Sequence, residues 1–331
     1  MSTPTFARST AQSSTPPFMK AWRVHQFGPP EAMVFDTVPT PVPGPNEVLI
    51  RIHAAGVGPW DGWIREGRGA SPEPLPFTLG TDLAGEVVVV GPDVSGMTFG
   101  SEVYGVTNSQ FLGAYAEYAV ASAGRLAMKP KSLTYVEASS VPVVAVTGWQ
   151  ALFYEASLEA GQTVVIHGAA GNVGAFAVQL ARRAHLCSIA TAGSEDIGYV
   201  RSLGADRVVD FRVERFEDEI RNADAVLDLV GGEVQERSFK VLRPGGKLIS
   251  AVSEPDQSLA QRSCVTARFF LVDVTTERLH RIAGMIDCGE LRTHLGAVTP
   301  LADARDAHMM LEGRRSKPKG KIVLRVQSSD V

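Results

Sequence analysis

The stretch "VVIHGAAGNVGAFAVQLAR" (Val164 to Arg182) passes from β-branched residues straight into three glycines, Gly168, Gly171 and Gly174, and then into apolar residues at helical spacing. Few architectures join a buried strand to a helix through so short a turn. The first glycine permits the turn, the second lets backbone approach a pyrophosphate, and the third lets helix and strand lie close. The helix N-terminus adds unpaired N–H groups and a partial positive charge that suit phosphates. Glycines spaced GxxGxxG are a weak signal alone, but the apolar strand before them and the amphipathic helix after them predict a nucleotide site.

The surrounding sequence extends that reading. From about Tyr135, helix-like segments alternate with buried strands: "TVVIHG", "LCSIATAG", "DRVVDF", "AVLDLVGG" and "GKLISAV". Strands separated by helices imply a parallel sheet wound on both faces, an α/β Rossmann fold. Upstream, from Lys20 to Met128, short strands punctuated by Gly and Pro predict a smaller, mainly antiparallel β domain. Its clearest runs are Glu47–Val57, Gly85–Gly91 and the alternating "GAYAEYAVA" (Gly113–Ala121). A last strand, Gly320–Val326, ends the ordered chain.

At 331 residues the chain has room for two cores. A net charge of −4 removes the electrostatic case for nucleic acid. The basic cluster Gly313–Lys321 reads either as a phosphate-binding patch or as a solvated turn. Cys187, Cys264 and Cys288 lie far apart, neither a disulfide framework nor a metal spacing, and point to reduced thiols in the cytoplasm. No apolar run reaches the roughly 18 residues needed to span a membrane. Residues 1–18, rich in Ser, Thr and Pro, read as a disordered tail before "MKAWRVHQFG", with a transit peptide as the alternative.

The strand after the seam bears on cofactor choice. NAD sites usually place a carboxylate at its end to hold the ribose 2′-hydroxyl. Here it ends in Ala192, Gly193 and Ser194, which leaves room for a 2′-phosphate, and Arg212 lies where it could reach one. NADPH is therefore expected rather than NADH. Glu195 and Asp196 keep NADH open, and Arg212 has a plain surface reading.

Taken together, "AAGVGPWDGWIREG", "PLPFTLGTDLAGEV", "VTGWQAL", the glycine seam, "DLVGG", "RPGGKLIS" and "GKIVLRV" resemble a zinc-free medium-chain dehydrogenase/reductase of the quinone oxidoreductase (zeta-crystallin-like) type. The resemblance runs from Met19 to Val326. It implies a GroES-like catalytic domain, residues 19–139 and 288–331, interrupted by a Rossmann domain at 140–287, and a homodimer. It also implies that Thr147 contacts the nicotinamide, that Ala170, Gly171, Asn172 and Val173 lie under the pyrophosphate, and that Gly193 and Ser194 flank the adenosine ribose. Val230, Val252, Phe269 and Phe270 then wall the nicotinamide pocket. The chain departs from many quinone reductases in having Gly58 where they carry an asparagine.

Similar zinc alcohol dehydrogenases bind catalytic zinc at positions that here hold Gly58, Thr81 and Val143, none able to give a thiolate or imidazole. Thr81 and Asp82 are read as structural hydrogen-bonding residues, and no metal ligands are assigned. Zinc stabilises developing alkoxide charge by roughly several kcal/mol. Without it, the expected acceptors are quinones or α,β-unsaturated carbonyls, which delocalise incoming charge. Alternatives are an enoyl thioester or another activated C=C as substrate, and a nucleotide-binding protein with little turnover. Trp60 and Trp63 are expected to line the wall opposite the nicotinamide, or else to staple a short helix to the core. Tyr104 is the candidate proton donor, with packing as its other reading. His53 and His167 are read as structural.

Overall fold

The computed structural model describes residues 15–69, 74–316 and 318–327. The seam strand Thr163–Ile166 lies inside a six-stranded parallel sheet. The strand order across it is Arg207–Asp210, Cys187–Ala192, Thr163–Ile166, Ala223–Asp228, Leu242–Ser250 and Thr266–Phe269. Successive seam-strand residues enter different cores: Val164 and Ile166 pack on one face and Val165 on the other. Both faces are therefore covered, which is why the strand reads as an unbroken apolar run.

Numbered by sequence, this order is 3-2-1-4-5-6, the doubly wound arrangement. The strands stay parallel, but the order in which they are added reverses between the seam strand and Ala223–Asp228. In such sheets the crevice outside the strands' carboxyl ends at that reversal is where ligands bind. The fold thus singles out Gly168 and its neighbour across the gap, Leu229–Val230.

The other lobe is a seven-stranded sheet built mainly from Glu47–Val57, Asp82–Val90, Glu102–Val106 and Leu126–Met128, with Tyr118–Ser122 paired to the first of these. Lys321–Arg325 joins it antiparallel to Ala54–Val57, and Leu295–Pro300 pairs beyond. The C-terminal segment therefore returns to the first lobe after the parallel sheet is complete. A small third sheet pairs Phe18–Val24 with Met33–Pro39 and Phe77–Thr78.

Two expectations change here. "GAYAEYAVA" is not one strand: only Tyr118–Ser122 joins the sheet. Upstream, the Tyr115 backbone turns aside to bond Trp22 and Leu79. The expected tail at 1–18 lies outside the described residues up to residue 14, and Phe18 is already paired with Pro39. Among the described residues no helix is long and apolar enough to cross a membrane.

Candidate active-site cleft

The two lobes meet over a cleft of about 1000 Å³. One side is the seam: Gly168, Gly171, Asn172, Val173 and Gly174 all line it. Gly168 takes a left-handed φ of 69°, so the first glycine does permit the turn. A Cβ on Gly174 would stand 2.6 Å from Ala169 Cα, so the third glycine lets helix Asn172–Arg183 sit against the turn. Gly171 is the N-cap of that helix, whose first N–H groups face the cleft region without an intrahelical partner.

Helix Pro142–Trp149 brings Val143, Val144 and Thr147 to the same cleft. Thr147 Oγ1 donates to the Val143 carbonyl oxygen at 2.7 Å, which leaves its lone pairs free to accept. Opposite stand Trp60 and Trp63 from the short helix Pro59–Arg65, together with Phe111. Val252 and Phe270 close one end. Both tryptophans line the cleft; Trp60 also packs against the core, whereas Trp63 is largely exposed. Gly58 lies behind this wall, where a Cβ would overlap the Trp60 ring. Its N–H donates to Asp61 Oδ2 at 2.8 Å. Burial raises the Asp61 pKa to about 7, against the bonds from Gly58 and Tyr115 that lower it.

The remaining expected residues sit nearby. Ala170 lines a neighbouring cavity of about 650 Å³, which also holds Asn172, Glu195 and Asp196. Val230 stands over Gly168, its Cγ2 3.4 Å from where a Cβ there would be. Ser194 Oγ donates to Asp210 Oδ2 at 2.5 Å, and Arg212 pairs with Glu195 at 2.6 Å beside Gly193. Phe269 ends the outermost strand and is not among the cleft-lining residues, whereas Phe270 is.

Tyr104 is a correction. It is fully buried in the core below the cleft, and its hydroxyl donates to the Leu279 carbonyl oxygen at 2.6 Å. Burial pushes its pKa upward. It donates no proton to substrate. His167 is structural as expected: it lies between Thr191 and Ser238 hydroxyls, each at 3.0 Å, and burial lowers its pKa to about 4.

With this geometry in hand, comparison with known proteins is decisive. The chain matches the family models of the alcohol dehydrogenase GroES-like domain over residues 44–131 and of zinc-binding dehydrogenases over residues 203–324. It is 33% identical over 323 residues to the quinone oxidoreductase of Sus scrofa, covering 92% of this chain and 97% of that protein. The chain belongs to the quinone oxidoreductase family. It is also 31% identical to the 2-methylene-furan-3-one reductase of Solanum lycopersicum, over 96% of this chain and 82% of that one. The quinone oxidoreductase structure from Coxiella burnetii superposes with a TM-score of 0.85 at 31% identity, over 94% of this chain and all of that one. Membership makes this chain an oxidoreductase of the medium-chain dehydrogenase/reductase class, with a GroES-like and a Rossmann unit.

One family model carries zinc in its description, and the residues here do not fit that ion. Gly58 has no side chain, Thr81 Oγ1 donates to the Phe111 carbonyl oxygen at 2.8 Å, and Val143 offers only a backbone N–H, bound to Asp82 Oδ1 at 3.0 Å. Among the described residues no group of three or more His, Cys, Asp or Glu side chains is placed to hold a metal ion.

What sequence reasoning missed at this family site is Lys321. It is 1% exposed, lines both the cleft and the neighbouring cavity, and donates to Asp82 Oδ2 at 2.8 Å. Its ammonium also lies 4.5 Å from the Trp60 ring centroid, within cation–π range. The available signal was a lysine directly before the apolar run Ile322–Leu324 of the strand "KIVLR". Grouping it with the basic turn before it hid that signal.

Proposed function

We propose that this chain reduces quinones or α,β-unsaturated carbonyl compounds with NADPH, without zinc. The observation that carries the reading is the cleft itself. A glycine cradle at the sheet's reversal point faces an aromatic wall of Trp60, Trp63 and Phe111, and the three zinc-ligand positions are empty of ligands. The cradle fits a dinucleotide: its turn is left-handed at Gly168, and its helix opens with free N–H groups at a site that only glycine leaves clear. Bound NADPH supplies the hydride. Gly171, Asn172 and Val173 hold the pyrophosphate, with the Lys321 ammonium beside them and Asp82 fixing its position. Thr147 accepts from the nicotinamide carboxamide, and Val252 and Phe270 bound the ring's pocket. The tryptophans and Phe111 give a flat conjugated acceptor an apolar face and keep water out. The described cleft lining holds no carboxylic acid, histidine or tyrosine, which leaves water and the Lys321 ammonium as the proton donors for the acceptor. The names of the porcine and tomato relatives, a quinone oxidoreductase and a reductase of an exocyclic enone, agree with this substrate class. Homodimer formation, and domain boundaries at 139/140 and 287/288, belong to the same reading.

The test is NADPH consumption across quinones, enones and simple ketones. Turnover with the first two and little with the third is expected. Oxidation of aliphatic alcohols when NADP+ is supplied instead, or no NADPH consumption with any acceptor, overturns the reading.

Preference for NADPH has its own test. Glu195 and Asp196, the carboxylates nearest the ribose end, are already paired with Arg212 and Lys319. A 2′-phosphate beside Ser194 meets the Arg212 guanidinium. Arg212→Ala should weaken NADPH binding about tenfold, or about 1.4 kcal/mol, and leave NADH binding nearly unchanged. Fluorescence titration of both cofactors measures this, and equal loss of both would remove Arg212 from cofactor choice.

A further inference from the structure

Directly after Trp149, two residues beyond Thr147, the helix widens into a π-turn, Gln150–Glu155. Such turns recur at functional sites. The wider winding places residue i over i+5, and Gln150 Nε2 donates to Glu155 Oε1 at 3.0 Å. Glu155 is anchored in turn by Arg268 at 3.3 Å. Gln150 is only 4% exposed, and its whole carboxamide is in use. Nε2 also donates to the Leu271 carbonyl oxygen at 3.3 Å, and Oε1 accepts from the Asp273 N–H and from Arg278 Nη1, each at 2.9 Å. That matches the two donors and two acceptor lone pairs an amide offers.

These bonds converge on one segment. Residues 270–275 have no regular structure, yet Phe270, Leu271 and Val272 line the cleft. Gln150 grips the backbone on both sides of Val272. Leu271 is 63% exposed, so its own packing does little to hold the wall. From the other lobe, Arg125 Nη1 donates to the Val274 carbonyl oxygen at 3.2 Å. The segment is thus fastened to both lobes: the Phe270 N–H donates to the Ser250 carbonyl oxygen at 3.1 Å and Val274 is buried in the core, and between these two ends the Gln150 side chain holds Leu271 and Asp273.

We infer that Gln150 is a positioning residue for the reaction: it fixes the Phe270–Val272 wall against which substrate and nicotinamide are aligned. This rests on the cleft being the hydride-transfer site proposed above. Misplacement of about 1 Å in such a wall can cost on the order of 10²-fold in rate.

The test compares Gln150→Leu, Gln150→Glu and the double variant Gln150→Glu/Glu155→Gln. The leucine removes all four bonds. The glutamate keeps both accepting bonds, loses donation to Leu271 and meets Glu155 with like charge, which the second substitution relieves. In both single variants quinone kcat/KM should fall about 10- to 100-fold, with kcat and KM both moving. NADPH affinity, set mainly by the pyrophosphate cradle of the seam, should change less than about twofold. The double variant should recover at least half of the logarithmic loss. Hydrogen exchange at 271–274, measured with NADPH bound, should quicken in both single variants. Unchanged kinetics and exchange in a folded single variant overturn the inference, and so does a loss that comes wholly from NADPH binding. If the leucine variant does not fold, the glutamate pair decides by the same readings. Wild-type protein that reduces no acceptor defeats the proposed function instead, while the exchange comparison still reports whether Gln150 holds the wall.

Discussion

Replacing Lys321 by methionine should cost about 3–5 kcal/mol of stability at neutral pH, because it leaves a buried carboxylate without its counter-charge. Asp82 is fully buried, and burial pushes its pKa up while the Lys321 ammonium pulls it down. In Lys321→Met only the upward pull and the Val143 N–H remain. The unfolded chain releases this proton near pH 4, whereas the folded variant retains it to higher pH. A raised folded-state pKa gives stability that is fully present below the unfolded pKa and lost as pH rises through the folded one. The deficit against wild type should therefore be small near pH 4 and grow toward neutrality. Urea unfolding at several pH values measures it.

The companion variant Lys321→Met/Asp82→Asn separates folding from function. The asparagine oxygen still accepts the Val143 N–H at a position where the carboxylate accepts it at 3.0 Å, and no charge is left buried. Stability should return to within about 1–2 kcal/mol of wild type. NADPH affinity should stay at least about tenfold weaker, since the cation shared by the cleft and the neighbouring cavity is gone. If cofactor binding returned along with stability, Lys321 would be only a structural partner of Asp82, and the phosphate role proposed for it would fail.

This pair also marks where sequence reasoning stops. Local features were readable. The strand Glu47–Val57 matches its expected bounds, and the five quoted segments of the second half all contribute strands to the parallel sheet. Each of those is written in β-branched runs and breakers within a few residues. The seam was legible for the same reason, because its three glycines and both flanking elements are contiguous. Lys321 and Asp82 lie 239 residues apart, and only the return of the C-terminal strand joins them. Tyr104 failed as a proton donor because strand alternation points it into the inter-lobe core, and nothing local reveals which face that is. The π-turn at Gln150 has no signature in "QALFYE", since its register is fixed by Leu271, Asp273 and Arg278, more than a hundred residues away.

Two single-methyl changes at the seam should behave differently although they stand three residues apart. In Gly174→Ala the new methyl group falls on backbone, 2.6 Å from Ala169 Cα and close against the Gly168 carbonyl oxygen, and backbone cannot rotate away as a side chain can. Helix Asn172–Arg183 must lift off the turn, which costs about 1–3 kcal/mol in overpacking and moves the helix's first N–H groups, proposed above to meet the phosphates. In Gly171→Ala the nearest atom is the Gly168 carbonyl oxygen at 3.2 Å, a contact relieved by a few tenths of an ångström, and φ at this residue is an ordinary −75°. That variant should lose less than about 1 kcal/mol of stability. Its methyl group nevertheless stands on the cleft-lining surface where the proposed dinucleotide site brings a pyrophosphate against backbone, so NADPH affinity should fall at least about tenfold, and for Gly174→Ala about a hundredfold. Thermal melts without cofactor and NADPH titrations separate the two. The deciding pattern is a stable Gly171→Ala that binds poorly. If it bound NADPH as well as wild type, the dinucleotide would not lie across this seam, and the reading of the cleft as its site would fall.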